Sequence, residues 1–260
     1  MTRPVALLTD YGPGSEHVGA LHAVIAAACP VADRIDLAHD IPPGDVRWGA
    51  VVLGRLAPLL PGAICVAVVD PGVGTDRAAT AVELLDGGAV VGPDNGVLAE
   101  LLPAAVGAVR LEVPPAASAT FHGRDVFAPA AARLAAGAAL AALGPRVELG
   151  DLVVPTWTSA AAVAGRITAA VIGRDRFGNA ALDGGEEHLQ IARLSRGDRV
   201  VVTAESARHP ATVARTFADV PRGELLVHVD SAGLLALAVR DGDAVRELAL
   251  EVGAAVEIAG

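Results

Sequence analysis

Short apolar runs alternate with longer alanine-rich runs through the first half of the chain. Apolar runs of four to eight residues are typical of buried strands, whereas longer runs with apolar positions three or four apart are typical of helices. The predicted strands are Val5–Thr9, Arg34–Ala38, 64–69, 80–84 and 89–91, and the predicted helices are Glu16–Ala28, 45–57, 96–102 and 126–139. This alternation predicts a three-layer α/β domain in which a mainly parallel sheet lies between helices.

The pattern changes near residue 151. The segment 151–166 contains Pro155-Thr-Trp-Thr-Ser159 and an alanine-rich stretch, which together are typical of a linker. The short β-rich segments that follow are Arg166–Arg174, 189–194, 199–203, 224–229, 234–238 and 254–258. Turns rich in Gly, Asp and Pro separate them, which predicts a small β-barrel or sandwich. We therefore expect two domains, 1–157 and 158–260.

Composition excludes several classes of function. The 260 residues include 30 acidic and 20 basic side chains, for a net charge of −10, so we expect no nucleic-acid or membrane partner. Every basic residue is arginine, which excludes a phosphate-loop lysine, a pyridoxal-phosphate Schiff base and a lysine nucleophile. Cys29 and Cys65 form no CxxC pair, and the seven histidines form no HExxH motif. No metal site is therefore expected.

The beginning of the chain has no signal-peptide pattern. Its apolar run is interrupted by Asp10, and no later stretch approaches the ~20 apolar residues that a membrane span requires. We therefore expect a soluble, cytoplasmic protein.

Two motifs place a carboxylate directly after a predicted strand. Asp10 lies in Leu8-Thr-Asp-Tyr-Gly-Pro-Gly14, where it could bind the vicinal hydroxyls of a ribose or cap the next helix. Asp70 lies in Val68-Val-Asp-Pro-Gly-Val-Gly-Thr-Asp-Arg77. Arg77 could fold back onto that carboxylate, and the alternative is a plain turn with a surface arginine.

Three further motifs carry polar side chains in predicted loops. Asn95 lies in a Gly-Pro-Asp-Asn-Gly turn, and His122 lies in Thr120-Phe-His-Gly-Arg-Asp125, directly before a predicted helix. Loops before helices often carry functional residues, although a single histidine is more often structural. Asp175-Arg-Phe-Gly-Asn179 offers an aromatic ring and an amide that could clamp a base or an amino acid, or it is an ordinary turn.

In this order, the five motifs resemble those of the S-adenosyl-L-methionine hydrolase (adenosine-forming) family. The family is also called the S-adenosylmethionine hydroxide adenosyltransferases and is related to the fluorinase and chlorinase. The resemblance runs from Leu8 to about Ala244 and includes Phe127-Ala-Pro129. The stretch Asp230-Ser-Ala-Gly-Leu-Leu-Ala-Leu-Ala-Val239 is similar to the family's Asn-Ser-x-Gly-Tyr-Leu-Glu-Ile-Ala-Val.

The resemblance implies an α/β domain followed by a β-barrel domain, in a homotrimer with sites between subunits. It implies that water or hydroxide attacks the ribose C5′ of S-adenosylmethionine, giving adenosine and L-methionine without a metal or cofactor. Asp70, Arg77 and His122 would be catalytic, with His122 accepting a proton from the water and Arg77 favouring hydroxide. The implied substrate-binding residues are Asp10, Asn95, Asp175, Phe177, Asn179, Ser231, Ala238 and Val239.

Two alternatives remain, a halogenase that uses the same substrate and a non-catalytic sensor of adenosine or S-adenosylmethionine. The Asp-Arg-His set favours catalysis, since a sensor has no use for a group that activates water. The chain also departs from the family pattern. His17 replaces a common Tyr or Phe, Gly44 replaces Gln, Ala236 replaces Glu, and Asp230 replaces Asn.

Overall fold

A computed structural model describes residues 2–260. The chain divides into two compact units, the first ending at Thr156 and the second running from Trp157 to Gly260. Within the described residues, no helix is both long enough and apolar enough to cross a membrane.

The first unit is built on a seven-stranded sheet. Its elements are β1 Val5–Thr9, α1 Glu16–Ala28, β2 Arg34–Ala38, α2 Val46–Leu56, β3 Ile64–Val68, β4 Ala79–Leu84, β5 Ala89–Pro93, β6 Ala105–Arg110, α3 Ala128–Ala135 and β7 Arg146–Val147. The strand order is β2-β1-β3-β5-β4-β6-β7. The neighbouring strands β2, β1, β3 and β5 are parallel to one another, whereas β4, β6 and β7 join by antiparallel pairing.

Helices cover both faces of this sheet. Alternate strand residues such as Val5 and Leu7 join α1 and α3 in one buried apolar cluster. On the opposite face, Gly49 of α2 lies close to Val69 and Val97. The predicted three-layer α/β architecture is therefore confirmed.

The second unit is a closed β-barrel. Its elements are β8 Ala161–Val163, β9 Arg166–Arg174, β10 Ala180–Gly185, α4 Glu186–Ala192, β11 Arg199–Ala204, β12 Ala207–Val213, β13 Leu225–Val229, β14 Leu234–Val239, α5 Ala244–Glu247 and β15 Ala255–Ala259. Seven strands follow the order β10-β14-β13-β12-β11-β15-β9, and β9 pairs with β10 to close the ring. The short strand β8 adds to β9 outside this closure.

Several element predictions were wrong. Residues 189–194 were expected to be a strand, but Leu189 to Ala192 belong to α4, whose first turn carries Glu186 and Glu187. Acidic side chains at a helix N-terminus stabilise the helix, and a short apolar run does not by itself distinguish helix from strand. The helix expected over 126–139 ends at Ala135 because Gly137 adopts φ +97° and stops it. The expected linker 151–166 contains β8, and β6, β10 and β12 were not predicted.

Candidate active site

The carboxyl ends of the parallel strands bring two of the predicted carboxylates to one edge of the first sheet. β1 and β3 pair in register, with Thr9 opposite Val68, and the Asp10 backbone N–H donates to the Val68 carbonyl at 3.3 Å. Asp10 and Asp70 therefore lie on adjacent strand ends, and the Asp70 charge contributes to raising the pKa of Asp10.

Asp70, Arg77 and His122 form a single hydrogen-bonded cluster. Arg77 Nε donates to Asp70 Oδ1 at 2.9 Å and to Oδ2 at 3.1 Å, and Arg77 Nη2 also donates to Oδ2. The same Nη2 lies 2.8 Å from His122 Nδ1. The Asp70, Arg77 and His122 side chains are largely shielded from water, since they are 6%, 9% and 6% exposed respectively. Charge-assisted hydrogen bonds of this kind are among the strongest in proteins.

The contact with Arg77 determines where the proton of the His122 ring lies. A guanidinium has only donors, so His122 Nδ1 must accept, and the neutral ring carries its proton on Nε2. Burial lowers the pKa of His122, and the positive charge of Arg77 lowers it further against the opposing effects of Asp70 and Asp125. The ring is therefore neutral at pH 7 and can donate from Nε2. This geometry does not support the predicted role of His122 as acceptor of the water's proton.

Arg77 also retains hydrogen-bonding capacity. Its Nη1 is buried and has no hydrogen-bond partner within residues 2–260, while the guanidinium carbon lies 5.3 Å from the centre of the Phe127 ring. A buried donor without a partner is costly, so this position favours a ligand or a water that can accept a hydrogen bond.

Two glycines allow the loops that carry this cluster to approach closely. Gly74 has φ +80°, and a Cβ there would lie 2.5 Å from the Ala119 carbonyl oxygen. A Cβ on Gly123 would collide with the hydroxyl of Tyr11. Gly74 therefore lets the segment after Asp70 meet the segment before His122, and Gly123 lets the His122 segment pack against Tyr11.

Asp10 is not a helix cap. The N-cap of α1 is Ser15, whose hydroxyl accepts from the His17 backbone N–H. The Asp10 carboxylate instead accepts from the Gly44 backbone N–H at 2.8 Å. Burial is the main factor that raises the pKa of Asp10, and the hydrogen bond from Gly44 opposes it. Asp10 is thus a half-buried carboxylate, held at the strand end by a loop that is distant in sequence.

Asn95 connects two backbone segments next to the cluster. Its Nδ2 donates to the Val69 carbonyl at 2.9 Å, and its Oδ1 accepts from the Val97 N–H at 3.1 Å. Both ends of the amide are therefore used in holding the turn beside Asp70.

An aromatic group lies beside Asp10. His17, at the position where the family commonly has Tyr or Phe, has its ring 4.8 Å from Phe121 and 5.5 Å from Tyr11. Tyr11 and Phe121 make an edge contact at 5.8 Å, and the guanidinium of Arg124 lies over Phe121 at 4.9 Å. His17 therefore packs as an aromatic ring would.

In the second unit, the predicted clamp is a tight turn after β9. Asp175 Oδ1 accepts from the backbone N–H groups of Phe177 and Asn179, and Oδ2 accepts from Asn179 Nδ2 at 2.7 Å. The Phe177 ring is 69% exposed, with the Arg176 guanidinium 5.2 Å from its centre. Asp175 thus shapes the turn, and Phe177 presents an open aromatic face.

The other predicted binding residues of the second unit lie along β13 and β14. Ser231 is in the turn between these strands, where Asp230 Oδ1 accepts from the N–H groups of Ala232 and Leu234. Ala238 and Val239 are buried in β14, so only their backbone groups could offer polar contacts to a ligand. The Val239 carbonyl accepts from the Gly242 N–H at 3.1 Å.

The sequence-based prediction missed the loop after β2. His39 and Gly44 of this loop both contact the Asp10 segment, through the Gly12 N–H and the Asp10 carboxylate respectively. One signal was present in the sequence, because His39 is a polar residue at the carboxyl end of a strand, where ligands of α/β sheets bind. Its pairing with Thr9 could not be read from spacing.

Comparison with known proteins assigns the chain to a family. The sequence matches the SAM hydroxide adenosyltransferase N-terminal domain over residues 5–144 and the C-terminal domain over residues 169–257. The chain belongs to the SAM hydroxide adenosyltransferase family.

Similar proteins include hydrolases and a fluorinase. The chain is 49% identical to an (R)-S-adenosyl-L-methionine hydrolase of Salinispora arenicola, over 96% of this chain and 95% of the relative. The hydrolase of the same name from Thermus thermophilus is 41% identical, with 98% and 99% covered. A fluorinase of Actinopolyspora mzabensis is 25% identical over 91% of each chain. A crystal structure of an uncharacterized conserved protein from Thermotoga maritima has a TM-score of 0.91 at 34% identity and covers 98% of this chain and 100% of its own.

Proposed function

We propose that this protein hydrolyses S-adenosyl-L-methionine to adenosine and L-methionine. The observation that carries the proposal is the buried cluster of Asp70, Arg77 and His122, which fixes a set of hydrogen-bond donors at the edge of the sheet. Family membership supports it, as do relatives at 41–49% identity that are named (R)-S-adenosyl-L-methionine hydrolase.

The reaction is a displacement at a saturated carbon. The oxygen of one water forms a bond to C5′, the bond between C5′ and the sulfonium sulfur breaks, and its electron pair stays on sulfur as the methionine thioether. Because a sulfonium is already an excellent leaving group, catalysis consists mainly of holding the water in line and shielding it from bulk solvent.

Within this proposal, Arg77 holds the His122 ring so that its Nε2–H donates to one lone pair of the water oxygen, and the other lone pair attacks C5′. As that oxygen bonds to carbon, it becomes a strongly acidic oxonium that passes its proton late to a neighbouring solvent water, so a strong base is not required. Asp70 fixes the guanidinium, and Asp10 holds the ribose hydroxyls. The residues Asp175, Phe177, Asn179, Ser231, Ala238 and Val239 would contact the base and the methionine moiety, and Asn95 would support the Asp70 turn.

Charge favours neutral water over halide as the nucleophile. Asp10 and Asp70 oppose the single positive charge of Arg77, and His122 is neutral, so the cluster as a whole disfavours an added anion. This distinguishes the proposal from a halogenase.

We propose further that the protein works in the cytoplasm as a homotrimer with sites between subunits. The exposed ring of Phe177 supports association, because a substrate-contacting aromatic would be covered at such a site. Light scattering should give three times the chain mass. A monomer with full activity would refute the trimer and leave the hydrolase proposal intact.

Product analysis tests the activity. The protein is incubated with S-adenosyl-L-methionine in water enriched in oxygen-18, with and without chloride or fluoride. The nucleosides are then separated by chromatography and their masses are measured by mass spectrometry. We expect adenosine with the label on its 5′ oxygen, and Asp70→Ala should abolish it. The exposed Arg146→Ala serves as the matched control and should keep full activity. A halogenated nucleoside as the main product would favour a halogenase, and binding without turnover would favour a sensor.

A further inference from the structure

His39, in the loop after β2, makes two further contacts with the residues on either side of Asp10. The His39 carbonyl accepts from the Gly12 N–H at 2.8 Å, and the Thr9 hydroxyl lies 2.8 Å from His39 Nδ1. Together with the bond from Gly44 to the Asp10 carboxylate, these contacts connect the loop after β2 to residues on both sides of Asp10.

The Thr9 hydroxyl is the centre of this group. It is fully buried and accepts from the Tyr11 backbone N–H at 3.2 Å, which closes a small turn around Asp10. A hydroxyl has one proton to donate, and His39 Nδ1 is the partner within reach. The hydrogen bonds therefore run in one direction, from the Tyr11 N–H to the Thr9 oxygen and from the Thr9 O–H to His39.

The His39 ring must then carry its proton on Nε2. Asp36 Oδ1 lies 3.0 Å from that nitrogen, so the charge of the carboxylate stabilises a proton there. Burial acts to raise the pKa of Asp36, but its contacts with His39 and His22 outweigh burial and lower it. Asp36 is thus ionised at pH 7, as this arrangement requires.

We propose that Thr9, His39 and Asp36 are positioning residues that hold the Asp10 carboxylate in its binding geometry. The proposal rests on the proposed function, in which Asp10 holds the ribose and thereby sets the direction of C5′ toward the water. None of the three is expected to touch substrate. They act through the turn that Thr9 closes and through the loop that carries Gly44.

A pair of substitutions at Thr9 tests this role. Thr9→Val keeps the shape and removes the hydroxyl, whereas Thr9→Ser keeps the hydroxyl and removes a methyl group. A misplacement of about 1 Å at a reacting centre can cost ~100-fold, so we expect Thr9→Val to lower kcat/KM by up to about that factor. Thr9→Ser should stay within about threefold of the wild type, because positioning by the hydroxyl is retained. The opposite order would overturn the proposal and point to packing alone.

A double-mutant cycle separates positioning from general loss of structure. If Thr9 acts through Asp10, Thr9→Val should have little further effect once Asp10 is replaced in Asp10→Asn. Equal fold losses in both backgrounds would contradict the proposal. Arg146→Ala is the control, since Arg146 is exposed and pairs with Glu148 at the surface, and it should leave kcat/KM unchanged.

A crystal structure of Thr9→Val gives a readout that is independent of activity. We expect the Asp10 carboxylate to leave the Gly44 N–H, and an unchanged 2.8 Å contact would overturn the proposal. A wild-type protein that forms no adenosine would refute the proposed function, yet this structural result would still decide whether Thr9 positions Asp10.

Discussion

Arg77 is the side chain on which the geometry of the Asp70 cluster depends. Its Nε and Nη2 hold Asp70, and the same Nη2 fixes the ring of His122. Lysine could not reproduce this fork of donors, since an ammonium is a single point of charge. The arrangement therefore depends on arginine chemistry at this position.

Removing Arg77 should affect stability as well as activity. Arg77→Met leaves the Asp70 carboxylate buried without its cation, and breaking a buried pair in this way typically costs about 3–5 kcal/mol. Urea denaturation followed by circular dichroism measures the loss. Arg146→Met, which removes an exposed pair with Glu148, should change the free energy of unfolding by no more than about 1 kcal/mol. Equal effects of the two substitutions would show that the buried pair contributes no more to the free energy of unfolding than the exposed pair.

Substitutions at His122 distinguish a donor from a base. Loss of one preorganised donor typically costs about 10²–10³ in kcat, so His122→Ala should fall in that range. His122→Gln should recover part of the activity, because its amide can donate from near the Nε2 position and cannot act as a base. If His122→Gln were as inactive as His122→Ala while folding normally, a base role would be favoured instead.

The titration of His122 should show the lowered pKa directly. NMR of protein labelled with nitrogen-15 in histidine should find the proton on Nε2 and a midpoint below the ordinary value of 6.5. As pH falls below 6.5, the unfolded chain takes up this proton before the folded protein does. The stability that His122 contributes is therefore present above about pH 6.5 and is lost as pH falls towards the folded-state pKa. A proton on Nδ1 would contradict the assigned contact with Arg77.

At the residue scale, sequence spacing predicted part of the site. A turn of seven residues brings Arg77 back to Asp70, as its glycines suggested. The contact of Arg77 with His122 spans 45 residues and depends on how two loops pack, which local pattern does not record. The pairing of Thr9 with His39 was missed for the same reason.

At the scale of elements, the backbone of the loop after β3 approaches the His122 segment closely at Gly74. Gly74 and Gly14 have almost the same backbone angle, with φ +80° and +79°, but only Gly74 lies against another segment, at the Ala119 carbonyl. An alanine at either position would strain the backbone, but only an alanine at position 74 would also collide with another segment.

Gly74→Ala should therefore be more damaging than Gly14→Ala. Both substitutions impose an alanine on a left-handed backbone, at a cost of roughly 1–2 kcal/mol. Only Gly74→Ala also forces the two loops apart, so we expect it to add a loss of adenosine formation that Gly14→Ala does not show. Thermal melts and product chromatography of both variants measure the two effects, and equal activities would exclude the close contact as a requirement.

The elements that were predicted correctly are those with strong local signals. Val5–Thr9, Arg34–Ala38 and Glu16–Ala28 were predicted with the observed bounds, because each has a clear local apolar pattern that breaks off at polar or turn residues. β10 and β12 were missed because they contain Gly, Pro and charged residues. Their pairing in the barrel stabilises them as strands, and that pairing is a tertiary effect.

For the molecule as a whole, the closure of the barrel depends on its last strand. β15 pairs with β11 on one side and β9 on the other, so without it the ring would open between those two strands. The first unit has a separate apolar core, built from residues such as Leu7 and Phe127.

Deletion of residues 254–260 should unfold the second unit. The edges of β9 and β11 would be left unpaired, and an open barrel of this size exposes both its core and its strand edges. Limited proteolysis with mass spectrometry should then find a resistant fragment ending near Thr156 and rapid loss of the rest. Removal of Gly260 alone, which costs one hydrogen bond to Gly165, is the control and should leave both units resistant.

The position of β15 also orders events during synthesis. Translation proceeds from the N-terminus, and early domains commonly fold while later ones are still being made. The residues of the Asp70 cluster all precede β15 in the chain, so they leave the ribosome before this strand does. A frameshift within the codons for β15 would therefore leave the first unit able to fold and deprive the second of this strand. Such a product would retain Asp70, Arg77 and His122.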